Sequence, residues 1–242
     1  MPGKNGFILF AAICCFLSVV TTLGIHLYFP EPPAGFEQRA LLHKNTLYII
    51  NRWWVIVHCL LVVVAMWGFA LLLWKTRPGT AGLGFLFFAV FAVAEITRQM
   101  FVLFYMNELR EQYAVAGDGD AKENIRRLLT YAGRLTAPLF GLFILMFALG
   151  NLSYGLSLWS GKGFSKWLGV LLVFWGISGL VVLGNQFWKV EGIDKITGIY
   201  NYTFQPLVRL LMGIWLWQKT VDGETMDRFP LLPGKALKMQ KV

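Results

Sequence analysis

The stretch GLGFLFFAVFAVAEITRQMFVLFYMN, residues 82–107, decides the fold of this chain. It is long enough to cross a bilayer, for which about 20 apolar residues are needed. Near its middle it carries Glu95, Arg98 and Gln99. Ionisable side chains at such depth are costly in lipid unless neighbouring helices surround them. We therefore predict that this segment is a transmembrane helix inside a bundle of helices.

The composition of the whole chain also indicates a membrane protein. Of its 242 residues, 57% are hydrophobic and only 14% are charged, which is far from the composition of an ordinary soluble domain. Long apolar runs recur to the end of the chain and predict an all-α fold, an integral membrane bundle of six transmembrane helices that forms a single polytopic domain over residues 1–242. The predicted spans are about 7–28, 52–74, 82–106, 128–159, 167–188 and 198–217, followed by a polar basic tail at 218–242.

The connection after the first span predicts a short helix at the membrane interface. Consecutive prolines, Pro32 and Pro33, end the first helix. Residues 36–50 then mix charged residues with leucine, tyrosine and isoleucine, which is typical of an interfacial amphipathic helix. Asn51 is a residue type favoured at helix N-caps, and we predict that it begins the second span.

The net charge of +9 indicates membrane orientation and not nucleic-acid binding, because the basic residues are scattered over loops and helix ends. The loops at 75–78 and 162–166 are basic and contain no acid. Short basic loops remain on the cytoplasmic side of a membrane. We therefore expect the protein in the plasma (inner) membrane with both termini in the cytoplasm.

With this orientation, polar side chains from all six spans fall in the outer half of the bilayer. Arg98 and Arg209 outnumber Glu95, so a pocket there would favour an anionic head group or a carboxylate. The candidate ligand-binding residues are Glu95, Arg98, Gln99, Arg209, His58, Gln205, Asn201 and Asn185. In the alternative interpretation, Glu95 neutralises Arg98 one turn away, or Arg209 from across the bundle, and the polar residues form a dry network between helices.

Motifs for cofactor or metal chemistry are missing from the sequence. His26 and His58 lie on consecutive spans but at different depths, and no second pair completes a bis-histidine haem site. The sequence contains no HExxH, Walker, GxGxxG or GxSxG motif. We therefore assign no catalytic residue, no metal ligand and no cofactor.

These observations predict a non-catalytic multi-pass membrane protein whose outer-half pocket binds or passes a small anionic or amphiphilic molecule. Its expected partners are membrane lipids and that ligand. A second hypothesis is a scaffold or accessory subunit without a ligand, which would offer the small-residue face 176–184 to protein partners in a membrane complex. A third is a membrane enzyme that uses Glu95 or His58 as an acid or base, which requires access of solvent to that group.

Overall fold

The structure is a computed structural model that describes residues 2–29 and 32–221. Over these ranges the chain is helical and contains no strand, which confirms the predicted all-α class. The helices are α1 (Pro2–Leu27), α2 (Phe36–Ala40), α3 (Thr46–Leu73), α4 (Pro78–Met100), α5 (Asn107–Val115), α6 (Asp120–Trp159), α7 (Phe164–Trp188) and α8 (Ile193–Val221). A 3₁₀ turn, Leu41–Lys44, precedes α3, and a π-helical segment, Phe101–Met106, joins α4 to α5.

Five helical segments of the described chain are long and apolar enough to cross a membrane. They are 6–27, 46–73, 78–115, 120–159 and 164–188. The membrane bundle is thereby confirmed, whereas the predicted number of six spans is not. The sixth predicted span lies within α8, where Gln205 and Arg209 are among the polar residues that lower the hydropathy of an otherwise long helix.

The start of α3 differs from the prediction. Asn45, in an extended conformation, is the N-cap, and its side chain accepts a hydrogen bond from the Tyr48 backbone N–H at 3.1 Å. The N-cap thus lies six residues before Asn51, because a cap and not the edge of the apolar run sets the first turn of the helix. The predicted interfacial helix 36–50 is correspondingly shorter: α2 and the 3₁₀ turn occupy residues 36–44. The predicted tail begins at 218, but α8 continues to Val221, and 222–242 lie outside the described residues.

The bundle has two ends that differ in their connections. The turn end contains residues 74–77 and 160–163, between α3 and α4 and between α6 and α7. The α2 end contains α2, α5 and the first turns of α6. Helix α8 reaches the turn end, since Lys219 lies beside Arg77 and Ser160 in a shared cavity.

Aromatic residues fill the core between the ends. Phe88 of α4 stacks on Tyr154 of α6 with ring centroids 5.8 Å apart. The Tyr154 hydroxyl donates a hydrogen bond to the Met66 carbonyl at 2.8 Å, which ties α6 to α3. Because the buried hydroxyl has a carbonyl partner, it costs little desolvation free energy.

Helices α6 and α7 approach each other more closely than side chains at the contact would allow. A Cβ on Gly169 would lie 2.9 Å from the Gly155 carbonyl oxygen, and a Cβ on Gly176 would lie 2.8 Å from the Ala148 oxygen. Both clashes are with backbone, which cannot move aside. The glycine spacing on α7 therefore determines how α7 packs on α6.

Candidate functional site

Glu95 is the centre of a polar network on α4, which we call the Glu95 network. The carboxylate is buried, at 2% exposure. It accepts two hydrogen bonds from Arg98, from Nε at 2.8 Å and from Nη2 at 2.5 Å, and a third from Gln99 Nε2. The three residues occupy positions i, i+3 and i+4 and lie on one face of the helix, so helical spacing alone brings them together.

The network continues from α4 to α3 and α5. Arg52 Nη1 donates a hydrogen bond to Gln99 Oε1 at 3.2 Å, and the Arg52 guanidinium lies 4.4 Å from the centre of the Tyr48 ring. The Arg110 guanidinium lies 5.2 Å from the same ring, and its Nη1 donates to the Tyr48 hydroxyl at 3.3 Å and to Asn107 Oδ1 at 2.8 Å. Tyr48 thus joins two guanidinium groups by cation–π contacts.

This extended network holds more positive than negative charge. Arg52, Arg98 and Arg110 contribute three guanidinium groups, and Glu95 contributes the one carboxylate that is hydrogen-bonded among them. The Nε of Arg52 is buried and has no hydrogen-bond partner within the described part of the protein. A surplus of buried positive charge is costly and favours an anion nearby.

A cavity of about 420 Å³ opens beside Arg110 at the α2 end, and we call it the α2-end cavity. Three of its lining residues are arginines, and none of the lining residues that the structure describes is an acid. The lining residues are Phe36, Arg39, Ala40, Met106, Arg110, Leu129, Thr130, Gly133, Arg134 and Ala137. Arg110 is buried, at 6% exposure, whereas Arg39 and Arg134 are exposed at the surface.

None of the three arginines that line this cavity is neutralised by a described carboxylate. The ion pairs within 4.0 Å among the described side chains are those of Arg98, Lys122 and Arg127. Glu37, the acid of α2, accepts a hydrogen bond from the Tyr113 hydroxyl at 2.9 Å and is not a lining residue. The cavity therefore presents uncompensated positive charge.

The cavity is also lined by apolar side chains, which we call the apolar wall: Phe36, Ala40, Met106, Leu129 and Ala137. Ala40, Leu129, Tyr113 and Ala132 belong to a small buried cluster that packs α2 against α5 and α6. The π-helical segment lies between Gln99 and this cavity, and its last residue, Met106, is one of the lining residues. π-Helical turns within α-helices are frequent at functional sites.

Arg209 lies apart from the Glu95 network, in the core of the bundle. It is 1% exposed, and its guanidinium lies 5.4 Å from the centre of the Trp175 ring and 6.0 Å from that of Phe147. Within the described part of the chain, its Nε has no hydrogen-bond partner and no carboxylate lies within 4.0 Å of its guanidinium. Aromatic faces therefore supply the neighbours that stabilise this charge.

The remaining predicted site residues are not gathered around one cavity. His58 is buried, and its Nδ1 lies 2.7 Å from the Thr21 hydroxyl. Asn185 accepts a hydrogen bond from the Val190 backbone N–H at 2.7 Å, beyond the last turn of α7. Gln205 is half-buried on α8, and the side chain of Asn201 lies outside the described part of the chain. His58, Asn185 and Gln205 line neither the α2-end cavity nor the cavity at the turn end.

Sequence reasoning did not select Arg110, Arg39 or Arg134 as site residues. They lie in stretches that the sequence marks as polar connections or helix ends, where an arginine usually faces solvent. Their common feature, one shared cavity, depends on the folding of α2 and α5 over α6. Among the described residues, no group of three histidine, cysteine or acidic side chains is arranged to hold a metal ion.

An all-α bundle with several membrane-length apolar helices defines the class of this molecule: it is a multi-pass integral membrane protein. The chain belongs to the family described as a domain of unknown function, DUF4386, which matches residues 6–219. That range includes the Glu95 network, Arg209 and the α2-end cavity. No curated protein and no solved structure matches the chain.

Proposed function

We propose that this protein is a non-catalytic membrane protein that binds or passes a small anionic amphiphile through the α2-end cavity. One observation carries the proposal: the same cavity is lined by three arginines and by an apolar wall, and no described lining residue is an acid. A molecule with a carboxylate or phosphate head and a hydrocarbon tail matches both halves of this lining.

The head group is assigned to the arginines. Arg110 is held in place by Tyr48 and Asn107, so its guanidinium is ordered before a ligand arrives. A fixed guanidinium loses little side-chain entropy on binding and forms charge-assisted hydrogen bonds with an oxyanion. Arg39 and Arg134, at the surface, would complete the coordination from the mouth of the cavity.

The tail is assigned to the apolar wall, which includes Phe36, Met106 and Leu129. Methionine and phenylalanine give this wall an adaptable, polarisable surface. A cavity of about 420 Å³ falls in the size range of small-molecule sites. In the predicted orientation, this end of the bundle faces the outer leaflet, where amphiphiles enter laterally from the lipid.

The test compares decanoate with decan-1-ol, which share a hydrocarbon chain and differ in charge. Binding to the purified protein in a neutral maltoside detergent would be measured by native mass spectrometry and by thermal shift of tryptophan fluorescence. We expect saturable binding of decanoate and not of decanol. Arg134→Gln should weaken decanoate binding by about tenfold or more, since a charge-assisted hydrogen bond contributes about 1.5–3 kcal/mol.

Arg127→Gln is the matched control. Arg127 lies on the same helix and is also exposed, but it pairs with Glu123 and is not a lining residue. The Arg127→Gln variant should bind decanoate as tightly as the unmodified protein. Equal binding of decanol, or equal losses in the two variants, would show that the cavity does not select an anionic head group.

The scaffold hypothesis depended on an exposed small-residue face at 176–184. In this structure Gly176 and Gly179 of that face already pack against Ala148 of the chain's own α6. The enzyme hypothesis gains no support from the cavities, since neither Glu95 nor His58 is a lining residue. Neither hypothesis therefore has an observation that favours it over ligand binding.

A further inference from the structure

A second cavity, of about 490 Å³, lies at the opposite end of the bundle, and we call it the turn-end cavity. It is formed where the ends of α3, α6 and α8 meet the start of α7. No acid is among its described lining residues, and the charged and hydroxyl-bearing ones are two cations and four hydroxyl side chains. They are Thr76, Arg77, Ser157, Ser160, Ser165 and Lys219.

The two cations reach the cavity from different elements. Arg77 precedes α4, and its Nη2 donates a hydrogen bond to the Ser160 hydroxyl at 3.0 Å, which holds the side chain across the gap between two turns. Lys219 enters from the last turns of α8. Cations that converge from separate helices create a positive site that no single stretch of sequence encodes.

The start of α7 adds hydrogen-bond donors to the same place. Its N-cap is Gly163, so no side chain caps the first backbone N–H groups. Ser165, in that first turn, accepts a hydrogen bond from Trp215 Nε1 at 2.9 Å, which leaves its own hydroxyl hydrogen free to donate. The N-terminus of a 25-residue helix favours anions.

These features differ from those of the α2-end cavity. There, arginines share the lining with apolar side chains, whereas the turn-end cavity is lined by its cations together with the hydroxyls of Ser160 and Ser165. The hydroxyls of Thr76 and Ser157 donate their hydrogens to other groups of the chain. A phosphate presents more acceptor atoms than a carboxylate and can use several donors at once. The Leu72, Leu158 and Trp215 side chains line the remaining surface.

We propose that the turn-end cavity binds a phosphate group, either free or as part of a lipid head group, through Arg77, Lys219 and the Ser165 hydroxyl. In the predicted orientation this end faces the cytoplasm, where basic pockets between membrane helices bind anionic head groups. The site is separate from the α2-end cavity and does not depend on the function proposed for it.

The experiment titrates purified protein in neutral maltoside detergent with three probes: inorganic phosphate, dihexanoyl phosphatidic acid and dihexanoyl phosphatidylcholine. Native mass spectrometry counts the bound molecules, and isothermal calorimetry gives the affinities. We expect saturable binding of phosphatidic acid at one site and at least tenfold weaker binding of phosphatidylcholine. If inorganic phosphate displaces phosphatidic acid, the phosphate group alone is sufficient for binding. If it does not, the site requires the lipid that carries the phosphate.

Arg77→Gln and Ser165→Ala should each weaken the binding of phosphatidic acid, the first by about tenfold, which corresponds to about 1.4 kcal/mol. Lys75→Gln is the matched control, because Lys75 lies in the same connection but is not a lining residue. Ser165→Ala keeps the charge and tests the site if Arg77→Gln does not fold. Arg134→Gln should leave this binding unchanged, which separates the result from that at the α2 end.

Three outcomes would overturn the proposal. The first is no saturable binding of either phosphate compound. The second is equal affinity for phosphatidylcholine, which would indicate adsorption of the acyl chains. The third is an equal loss in Lys75→Gln and Arg77→Gln, which would indicate general attraction to a basic surface.

Discussion

At the scale of single residues, the half-buried Arg98 and the buried Arg209 have opposite surroundings. Arg98 donates two hydrogen bonds to Glu95, whereas Arg209 contacts two aromatic rings and has no carboxylate partner among the described side chains. Breaking a buried ion pair strands a charge and costs about 3–5 kcal/mol. Removing a charge that has no partner relieves its desolvation cost. The two positions therefore respond differently to the same substitution.

We predict that Arg98→Met lowers the thermal stability of the protein in detergent and that Arg209→Met does not. The first change leaves Glu95 buried without its bidentate partner, for a loss of about 3 kcal/mol. The second places a flexible thioether against Trp175 and Phe147, a favourable contact. Unfolding followed by tryptophan fluorescence provides the measurement. If Arg209→Met lowered the unfolding temperature as much as Arg98→Met does, Arg209 would have a counter-ion in the folded protein.

At the scale of elements, the contact between α6 and α7 depends on glycines at fixed intervals. We predict that Gly169→Ala destabilises the protein by about 1–3 kcal/mol, the usual cost of overpacking. Its Cβ would lie 2.8 Å from the Trp159 backbone nitrogen, so the two helices must separate. Thermal unfolding of the variant in detergent is the measurement.

Gly133→Ala is the control for this substitution. A Cβ at Gly133, on α6, has no neighbouring atom within 4 Å. It should be neutral or slightly stabilising, since alanine is a better helix former than glycine. Equal stability of Gly169→Ala and its control would contradict the close packing of α6 on α7.

At the scale of the whole molecule, the path of α8 decides on which side of the membrane its last residue, Val221, lies. α8 packs along α1, where the Cys15 thiol donates a hydrogen bond to the Arg209 carbonyl at 3.2 Å, and it ends beside Arg77 at the turn end. A helix of 29 residues is about 43 Å long, which exceeds the thickness of a bilayer core. We infer that α8 crosses the membrane although its hydropathy is lower than that of the other five.

We predict that Val221→Cys and Lys162→Cys react with a membrane-impermeant maleimide from the same side of the membrane, the cytoplasmic one, and Asp118→Cys from the other. The native Cys14, Cys15 and Cys59 are buried, so the background should be low. Labelling is measured in intact cells and in inverted vesicles. If Val221→Cys reacted from the same side of the membrane as Asp118→Cys, α8 would not cross the membrane.

The sequence by itself determined the class of the molecule and its local polar contacts. Apolar runs of sufficient length can only be helices in lipid, because every backbone polar group must find its partner within the segment. The pairing of Glu95 with Arg98 and Gln99 follows from the same local rule, since residues three and four apart share a helix face. The same rule does not fix where a helix begins: Asn45, and not Asn51, caps α3.

Only the tertiary structure decided which distant residues meet. Arg52 and Tyr48 of α3 meet Gln99 of α4 and Arg110 of α5, and Arg39 and Arg134 share a cavity although they are far apart in sequence. Arg209 is separated from Glu95, and its nearest rings belong to α6 and α7. Depth along a helix can be counted from the sequence, but the direction in which a side chain points within a bundle depends on how the helices rotate and pack. That rotation is set by many weak contacts, such as those at Gly155 and Gly169, and no single stretch of the chain contains them.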